Sequence, residues 1–415
     1  MSRASLHRTS ADRSMPAMAA NPASPASEGS HGWLELERQH APGVYPARDV
    51  VVVRGEGALL FDEHGKRYVD CASGQGVAAL GHAHPRFVEA VGAQAARLTT
   101  CAAGWPNDRR AELVSRLAPL LPGDLRRIFL CNSGAEAVEA ALKFARVSTG
   151  RHGVVALERG FHGRTFGALS ATANEKYRAP FAPLVPGFRH VPPGDLDALD
   201  ANVGDRTACI LLEVVQGEGG VYPLDADFLH GARRLATERG ALLVVDEVQS
   251  GYGRTGRMFA CEHHDLEPDL LCLGKAIGGG IPMGAVAMGA AVAELSPGSH
   301  GSTFGGNPLS CAAALAVLDA FEDEALVDRA RELGAWFEGR LRELGSPAVR
   351  EVRGLGLMLA IELRMRSAPF LKALVGEGVI ALAAGANGLR FLPPLVVERE
   401  QLEEVLAALE SVLPS

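Results

Sequence analysis

Four short segments join reactive side chains to backbone that can approach a ligand. In Leu273-Gly274-Lys275-Ala276, followed by Gly278-Gly279-Gly280, a lysine comes directly after an apolar strand and opens a glycine-rich loop. Partial burial lowers a lysine's pKa and makes it nucleophilic, as a Schiff base with an aldehyde requires. A solvated loop lysine has the same spelling and is the commoner case. The glycines follow the lysine, so they do not form a Walker motif. In Leu243-Val244-Val245-Asp246-Glu247-Val248-Gln249, a carboxylate closes a buried strand. A charge there is costly unless something positive meets it, for example a protonated ring nitrogen. The alternative is an aspartate that caps a helix.

In Asn132-Ser133-Gly134-Ala135-Glu136 a strand ends and a helix begins, with Ser133 and Glu136 at capping-box spacing. Gly134 lets backbone come close to a ligand, and the positive end of a helix stabilises a phosphate. An ordinary capped helix reads the same way. In Phe161-His162-Gly163-Arg164-Thr165, the ring can stack on a flat cofactor and Arg164 can clamp a carboxylate; Phe161 alone would read as core. Glu218 and Arg390, taken alone, read as a surface salt bridge worth about 0–1 kcal/mol. His82 with His84, and His263 with His264, lack a third ligand at metal-site spacing and read as structural. Gly74-Gln75-Gly76 resembles a dinucleotide fingerprint weakly and lacks its strand–helix setting.

These segments sit in a chain of 415 residues, a length that fits a two-domain enzyme subunit. Hydrophobic residues at 47% and charged residues at 22% are ordinary globular proportions. A net charge of −8 gives no sign of a nucleic-acid partner, and no apolar run is long enough for a membrane span. Seven cysteines, scattered and without a CxxC pair, argue against a disulfide scaffold or zinc site and fit a reducing, cytoplasmic setting. Only five lysines occur, which shortens the list for amine chemistry to Lys66, Lys143, Lys176, Lys275 and Lys372.

Residues 1–32, rich in Ser, Ala and Pro, read as a disordered tail. A transit peptide is the sharper alternative, since Arg3, Arg8 and Arg13 lie in an acid-poor stretch, although its prolines spoil an amphipathic helix. A start site placed too far upstream is a third reading. From about Pro85 the chain alternates helix and strand. Ile128–Cys131, Gly153–Leu157, Cys209–Glu213, Leu242–Asp246 and Leu270–Leu273 are short apolar runs, separated by helices such as Glu136–Val147 and Phe228–Arg239. The expected fold class is therefore α/β, with a mainly parallel sheet that binds its ligand at the strands' carboxyl ends. The expected large domain spans 81–306. A smaller α+β domain joins an N-terminal segment, 33–80, to the C-terminal residues 307–415.

Together the motifs resemble class III (subgroup II) aminotransferases of fold type I, from about Tyr45 to the C-terminal helix. The resemblance is carried by CNSGAEAVEAALKFAR (131–146), FHGRTFGALSAT (161–172), QGEGGV (216–221), VDEVQSGYGRTG (245–256), LGKAIGGGIPMGA (273–285), HGSTFGGNPLSCA (300–312) and RGLGLML (353–359). It implies a large domain with a seven-stranded sheet and pyridoxal 5'-phosphate as cofactor. Lys275 would form the Schiff base and shuttle the substrate's proton, and Asp246 would pair with the ring nitrogen. Gln249 would bond near the ring hydroxyl, with Glu247 and Val248 in the same cofactor-lining stretch, and Phe161 would stack on the ring. Ser133, Gly134 and Ala135 would hold the phosphate, helped by Thr303 from the neighbouring subunit of a homodimer with shared sites.

Arg164, Ser302 and Tyr45 match substrate-contacting positions. Arg390 matches the arginine that receives the α-carboxylate of glutamate, and Glu218 the acid that masks it while the other substrate binds. Ala135 and Ser250 stand where many relatives have threonine, and Val214 where they have proline. GVYPARDVVVVRGEG (43–57), EKYRAPFAPLVPGF (175–188) and GLRFLPPLVV (388–397) look most like the lysine-biosynthesis members of the acetylornithine/acetyl-lysine branch. Those members use glutamate to convert aminoadipate semialdehyde, held on the small acidic carrier protein LysW, to carrier-bound lysine. Some also make carrier-bound ornithine from the glutamate semialdehyde. Free N-acetylornithine is the alternative substrate. An aminomutase or a decarboxylase fits Glu218 and Arg390 less well, and a non-enzymatic regulator would normally need an added interaction or DNA-binding domain, which nothing outside residues 33–415 supplies.

Overall fold

The computed structural model describes residues 31–45 and 48–414, and the chain falls into two compact units, residues 1–52 and 53–415. In the first, a helix runs over His31–His40, and Arg38 pairs with Asp49 at 2.8 Å. The tail expected over 1–32 lies outside the described residues except for its last two, which open this helix. Tyr45 belongs to this unit and is exposed.

The second unit is built on a seven-stranded sheet. Its strands, in chain order, are β1 (Arg127–Cys131), β2 (Gly153–Leu157), β3 (Phe188–Val191), β4 (Thr207–Leu212), β5 (Leu242–Asp246), β6 (Leu270–Leu273) and β7 (Gly284–Met288). They lie side by side in the order β1-β7-β6-β5-β4-β2-β3. All neighbours are parallel except β7, which runs antiparallel to both β6 and β1. The chain is α/β of fold type I, as the motifs implied.

Near-continuous apolar strands suit a sheet covered on both faces. Along β5, Leu242 and Val244 face one core, shared with helix Gly134–Thr149, while Leu243 and Val245 face the other. Each such side chain contributes about 1.5–3 kcal/mol by leaving water, so a charge at Val245 would break the layer.

Two strands were missing from the sequence expectation. β3 is an edge strand whose Phe188-Arg189-His190 are only partly covered, so it lacks an apolar run. β7 is Gly-Ala-Val-Ala-Met, and its first residue must be small: a Cβ on Gly284 would lie 2.3 Å from the Ser133 carbonyl oxygen. The expected Cys209–Glu213 strand ends one residue early, which leaves Glu213 free to turn into the site.

A second, antiparallel sheet joins Val349–Leu355, Met358–Leu363, Gly388–Phe391 and Leu382–Ala384 in that order. Val379–Ile380 pairs in parallel with Arg67–Asp70, tying early and late chain segments into one small sheet. Helix Pro308–Asp323, capped by the Asn307 side chain, packs on helices Pro85–Ala95 and Asp108–Leu117 and on the turn Lys275–Gly278.

Candidate active site

The carboxyl ends of five strands deliver the candidate residues to one edge of the large sheet. β1 leads to Ser133, β2 to Phe161 and His162, β4 to Glu213, β5 to Asp246 and Gln249, and β6 to Lys275. Asp246 lies opposite Cys272 in the β5–β6 register, one residue before the end of β6. Strand pairing therefore fixes Asp246 beside Cys272, and Lys275 follows three residues later, in the turn just past the end of β6.

Lys275 is half-buried and opens the turn Lys275–Gly278 with φ +47, a region that L-residues avoid. Gly274 precedes it in close quarters: a Cβ there would lie 3.1 Å from Val248 Cγ1 and 3.2 Å from the Gly134 backbone. Burial holds the Lys275 ammonium below its usual pKa range. Glu218 opposes that shift, Arg390 adds to it, and Asp246 and Glu213 oppose it. A lowered pKa favours the free amine that Schiff-base chemistry needs.

Asp246 is 4% exposed, and its Oδ1 accepts from the Val248 N–H at 3.0 Å, so the local helix-capping-type contact does exist. Its Oδ2 meets His162 Nδ1 at 2.8 Å. Burial alone would lower the His162 pKa, but the bond to Asp246 and that carboxylate's charge carry it above the usual histidine value. Two accepted bonds leave the Asp246 carboxylate capacity for another donor. Glu213, buried beside this pair, is pushed up to about 7 by burial. Its Oε2 accepts from the Phe161 N–H at 3.0 Å. Sequence reading passed over both His162 and Glu213, although each stands within a residue of a strand end or an aromatic already singled out.

Helix Gly134–Thr149 begins as expected but is capped differently. The Ser133 hydroxyl accepts from the Glu136 N–H at 3.2 Å. The Glu136 carboxylate, however, takes the Asn132 N–H at 2.6 Å rather than that of Ser133, so the capping box is displaced by one residue. Among the described residues, no acceptor meets the N–H groups of Gly134 or Ala135. Gly134 is required here because a Cβ would meet Val248 Cγ1 at 2.5 Å.

Arg390 is 1% exposed and pairs with Glu218 at 2.7 Å; it also donates to Gln249 Oε1 at 3.2 Å and Gln75 Oε1 at 3.3 Å. The surface-bridge alternative therefore fails on the arginine's side: Arg390 is buried, while the Glu218 side chain stays 30% exposed. Gln75, with φ +69 next to Gly74 and Gly76, had no signal beyond its glycines.

Arg164 is exposed, with its guanidinium 3.6 Å from the Tyr177 ring centroid and 5.5 Å from that of Phe161. Phe161 and Tyr177 meet edge to face at 6.1 Å. Ser302 accepts from Asn132 Nδ2 at 2.9 Å and from the Gly305 N–H at 3.0 Å, while Thr303 is exposed. The Glu247 side chain turns from the site to Ser250 and the Cys261 N–H. His82 and His84 bond separately to Asp70 and Glu324, and His263 bonds to Thr255.

A buried carboxylate with room for a donor, an amine of lowered pKa and two open N–H groups at a helix start form a donor set for one ligand. That ligand carries a basic ring nitrogen, an aldehyde and a phosphate, and pyridoxal phosphate has all three. The fold and site thus define a pyridoxal-phosphate-dependent transferase. Within that class the chain belongs to the class-III aminotransferases, whose family matches residues 41–413.

Among its relatives is the LysW-aminoadipate semialdehyde transaminase of Deinococcus radiodurans, 51% identical over 92% of this chain and 90% of the relative. The acetylornithine aminotransferase of Methanothermobacter thermautotrophicus is 43% identical over 92% and 98%. Of solved structures, ornithine aminotransferase from Toxoplasma gondii superposes with a TM-score of 0.89 at 34% identity, covering 92% of this chain and 94% of that one. Acetylornithine aminotransferase from Elizabethkingia anophelis gives 0.83 at 34% identity, covering 93% and 99%. No helix among the described residues is long and apolar enough to cross a membrane.

Proposed function

We propose that this aminotransferase takes its amino group from glutamate and passes it to an N-blocked semialdehyde. The acceptor in this reading is aminoadipate semialdehyde held on the acidic carrier protein LysW, giving carrier-bound lysine. The corresponding glutamate semialdehyde is a second acceptor on the way to carrier-bound ornithine. The observation that carries the two-substrate reading is the buried Arg390–Glu218 pair at 2.7 Å, beside Gln249. One pocket must accept glutamate, with a second carboxylate, and an ω-amine, without one. An arginine that exchanges an internal acid for a substrate carboxylate meets both needs. The choice of acceptor is supported by the 51% identity to the Deinococcus enzyme.

Pyridoxal phosphate, when bound, supplies the aldehyde that carries the amino group and the ring that stores electrons. Asp246 would pair with the ring nitrogen, with His162 Nδ1 holding that carboxylate in place at 2.8 Å. The N–H groups of Gly134 and Ala135 would hold the phosphate, and Phe161 would cover the ring. Lys275 Nζ takes the proton from the substrate carbon and returns it. Arg390 binds the glutamate carboxylate after leaving Glu218, and Arg164 holds the carboxylate of the N-blocked substrate with Ser302. Glu247 and Val248 would line the cofactor through backbone and the Val248 methyls. Thr303 adds a phosphate contact across a homodimer, a reading supported by its exposure and by exposed Trp105, Phe166 and Phe304.

The deciding measurement compares kcat/KM for carrier-bound lysine with that for free N-acetylornithine, with glutamate formation from 2-oxoglutarate as the common readout. A clear preference for the carrier-bound amine is expected. A preference for free N-acetylornithine, the substrate named for several relatives at 40–45% identity, would move the enzyme to that reaction.

A further inference from the structure

The motif RGLGLML places Arg353 on strand Val349–Leu355, away from the cofactor residues, and nothing above gives it a task. Its surroundings do. Arg353 faces Ala360 across one strand pair, and Ala360 faces Arg390 across the next. Residues directly opposite in antiparallel strands share a face, so the two arginines flank one small alanine in a single row, roughly 10 Å apart.

The segment Gly217–Val221, which contains Glu218, is held by both. Arg390 takes the Glu218 carboxylate at 2.7 Å, and Arg353 Nε donates to the Gly220 carbonyl at 2.8 Å. Arg353 is itself fixed on every side. It is 7% exposed, bridges Glu351 at 2.8 Å and Glu362 at 2.6 Å, and stacks 3.8 Å from the Tyr222 ring centroid. Tyr222 completes the ring of contacts by donating to Glu362 at 2.9 Å.

The segment has little freedom elsewhere. The N–H groups of Gly220 and Val221 both turn back to the Gly217 carbonyl, at 3.3 and 3.2 Å. Val221 sits at φ +56, where a β-branched residue is strained. A Cβ on Gly217 would lie 2.0 Å from Gln249 Oε1, and one on Gly219 2.7 Å from the Arg159 carbonyl oxygen. Fixing a short loop at its far end sets where its acidic side chain rests, because two residues of backbone leave about 7 Å of reach.

We infer that Arg353 is a positioning residue for the Glu218 gate: by holding the Gly220 carbonyl it keeps Glu218 against Arg390 and thereby sets how the enzyme divides its preference between glutamate and the ω-amine. The inference rests on the reading of Glu218 as the acid that masks Arg390. Loosening Arg353 frees Arg390 for a substrate carboxylate, so discrimination shifts toward glutamate.

Single-turnover half-reactions of the holoenzyme with glutamate and with N-acetylornithine test this, read as the ratio of their second-order rate constants. Glu218→Ala is expected to raise the glutamate share. Arg353→Lys keeps the charge but loses the directed Nε donor, and is expected to shift the ratio the same way by at least about threefold. In the Glu218→Ala background, Arg353→Lys is expected to add nothing further, and hydrogen exchange over residues 217–221 should accelerate in the single variant. An Arg353→Lys ratio equal to wild type, or an equal shift with and without Glu218, overturns the inference and leaves the gate standing. A Glu218→Ala ratio equal to wild type overturns the gate itself and the inference with it. Should Arg353→Lys fold poorly, Glu362→Gln loosens the same arginine from its far side. It must move the ratio in the same direction, and no movement counts against the proposal.

Discussion

His162 Nδ1 lies 2.8 Å from Asp246 Oδ2, in a contact where the histidine side chain is wholly buried and the aspartate almost so. The pair gives a carboxylate at the end of β5 a hydrogen-bond partner from a loop far away in the chain. Replacing His162 with Leu leaves Asp246 with one fewer donor, at a cost of about 1–3 kcal/mol, and should weaken cofactor affinity roughly tenfold or more. His162→Asn, which keeps a donor, should recover most of it. Fluorescence titration of the apoenzyme with pyridoxal phosphate measures both; equal affinity of wild type and the leucine variant would remove His162 from the site.

Stability should fall as pH rises through neutrality, for two reasons with the same sign. His162 has a raised pKa when folded, so its contribution is full below the ordinary histidine value and is lost as pH climbs through the raised one. Glu213, pushed up to about 7, is neutral and unpenalised at acid pH and costs stability once it must ionise in its buried place. Glu213→Gln keeps an acceptor for the Phe161 N–H and removes the titration. Its denaturation midpoint should be flatter than wild type between about pH 4.5 and 7, and an unchanged profile would assign the slope elsewhere.

Lys275→Ala should abolish turnover and the visible absorption of the bound cofactor, while the folded variant still takes up pyridoxal phosphate through Asp246 and the helix start. Turnover that survives the substitution would place the chemistry on another amine.

Gly134 and Val248 should behave as a coupled pair. Gly134→Ala drives a methyl against Val248 at 2.5 Å, an overpacking cost of about 1–3 kcal/mol at the phosphate-facing turn. Cofactor affinity should drop about tenfold. Val248→Ala should restore part of it in the double variant, and strict additivity in calorimetric titrations would rule out the contact as the cause.

Tyr177 should matter to one substrate only. Its ring steadies Arg164 at 3.6 Å, worth about 0.5–1 kcal/mol in an exposed setting. Tyr177→Ala should raise KM for the N-blocked amine about threefold and leave glutamate unchanged, with Tyr177→Phe close to wild type. Equal changes for both substrates would point to a general loss of packing.

Much of the site was legible because its residues follow local rules. Lys275, Asp246 and Ser133 each stand where an apolar strand ends, and β5 and β6 fall at the residues their apolar runs mark. Gly134 and the helix that follows it were legible for the same reason. β7 was not, because its small residues carry no strand signal, and the need for glycine at 284 comes from the distant Ser133 carbonyl.

Chain order alone determined that a lysine, a strand-end aspartate and a capped glycine turn exist, and on a parallel sheet that they share one edge. Which of them touch was decided only by the fold. His162 reaches Asp246 across 84 residues of chain and Arg390 reaches Gln249 across 141, while Glu213 was marked only by a strand end and Gln75 only by its flanking glycines. Helix caps and strand ends arise from interactions a few residues long, which a sequence spells out. The strength of an ion pair depends on desolvation, and desolvation is set by everything packed around it, so only the assembled structure showed that Arg390 meets Glu218 from a buried position rather than at the surface.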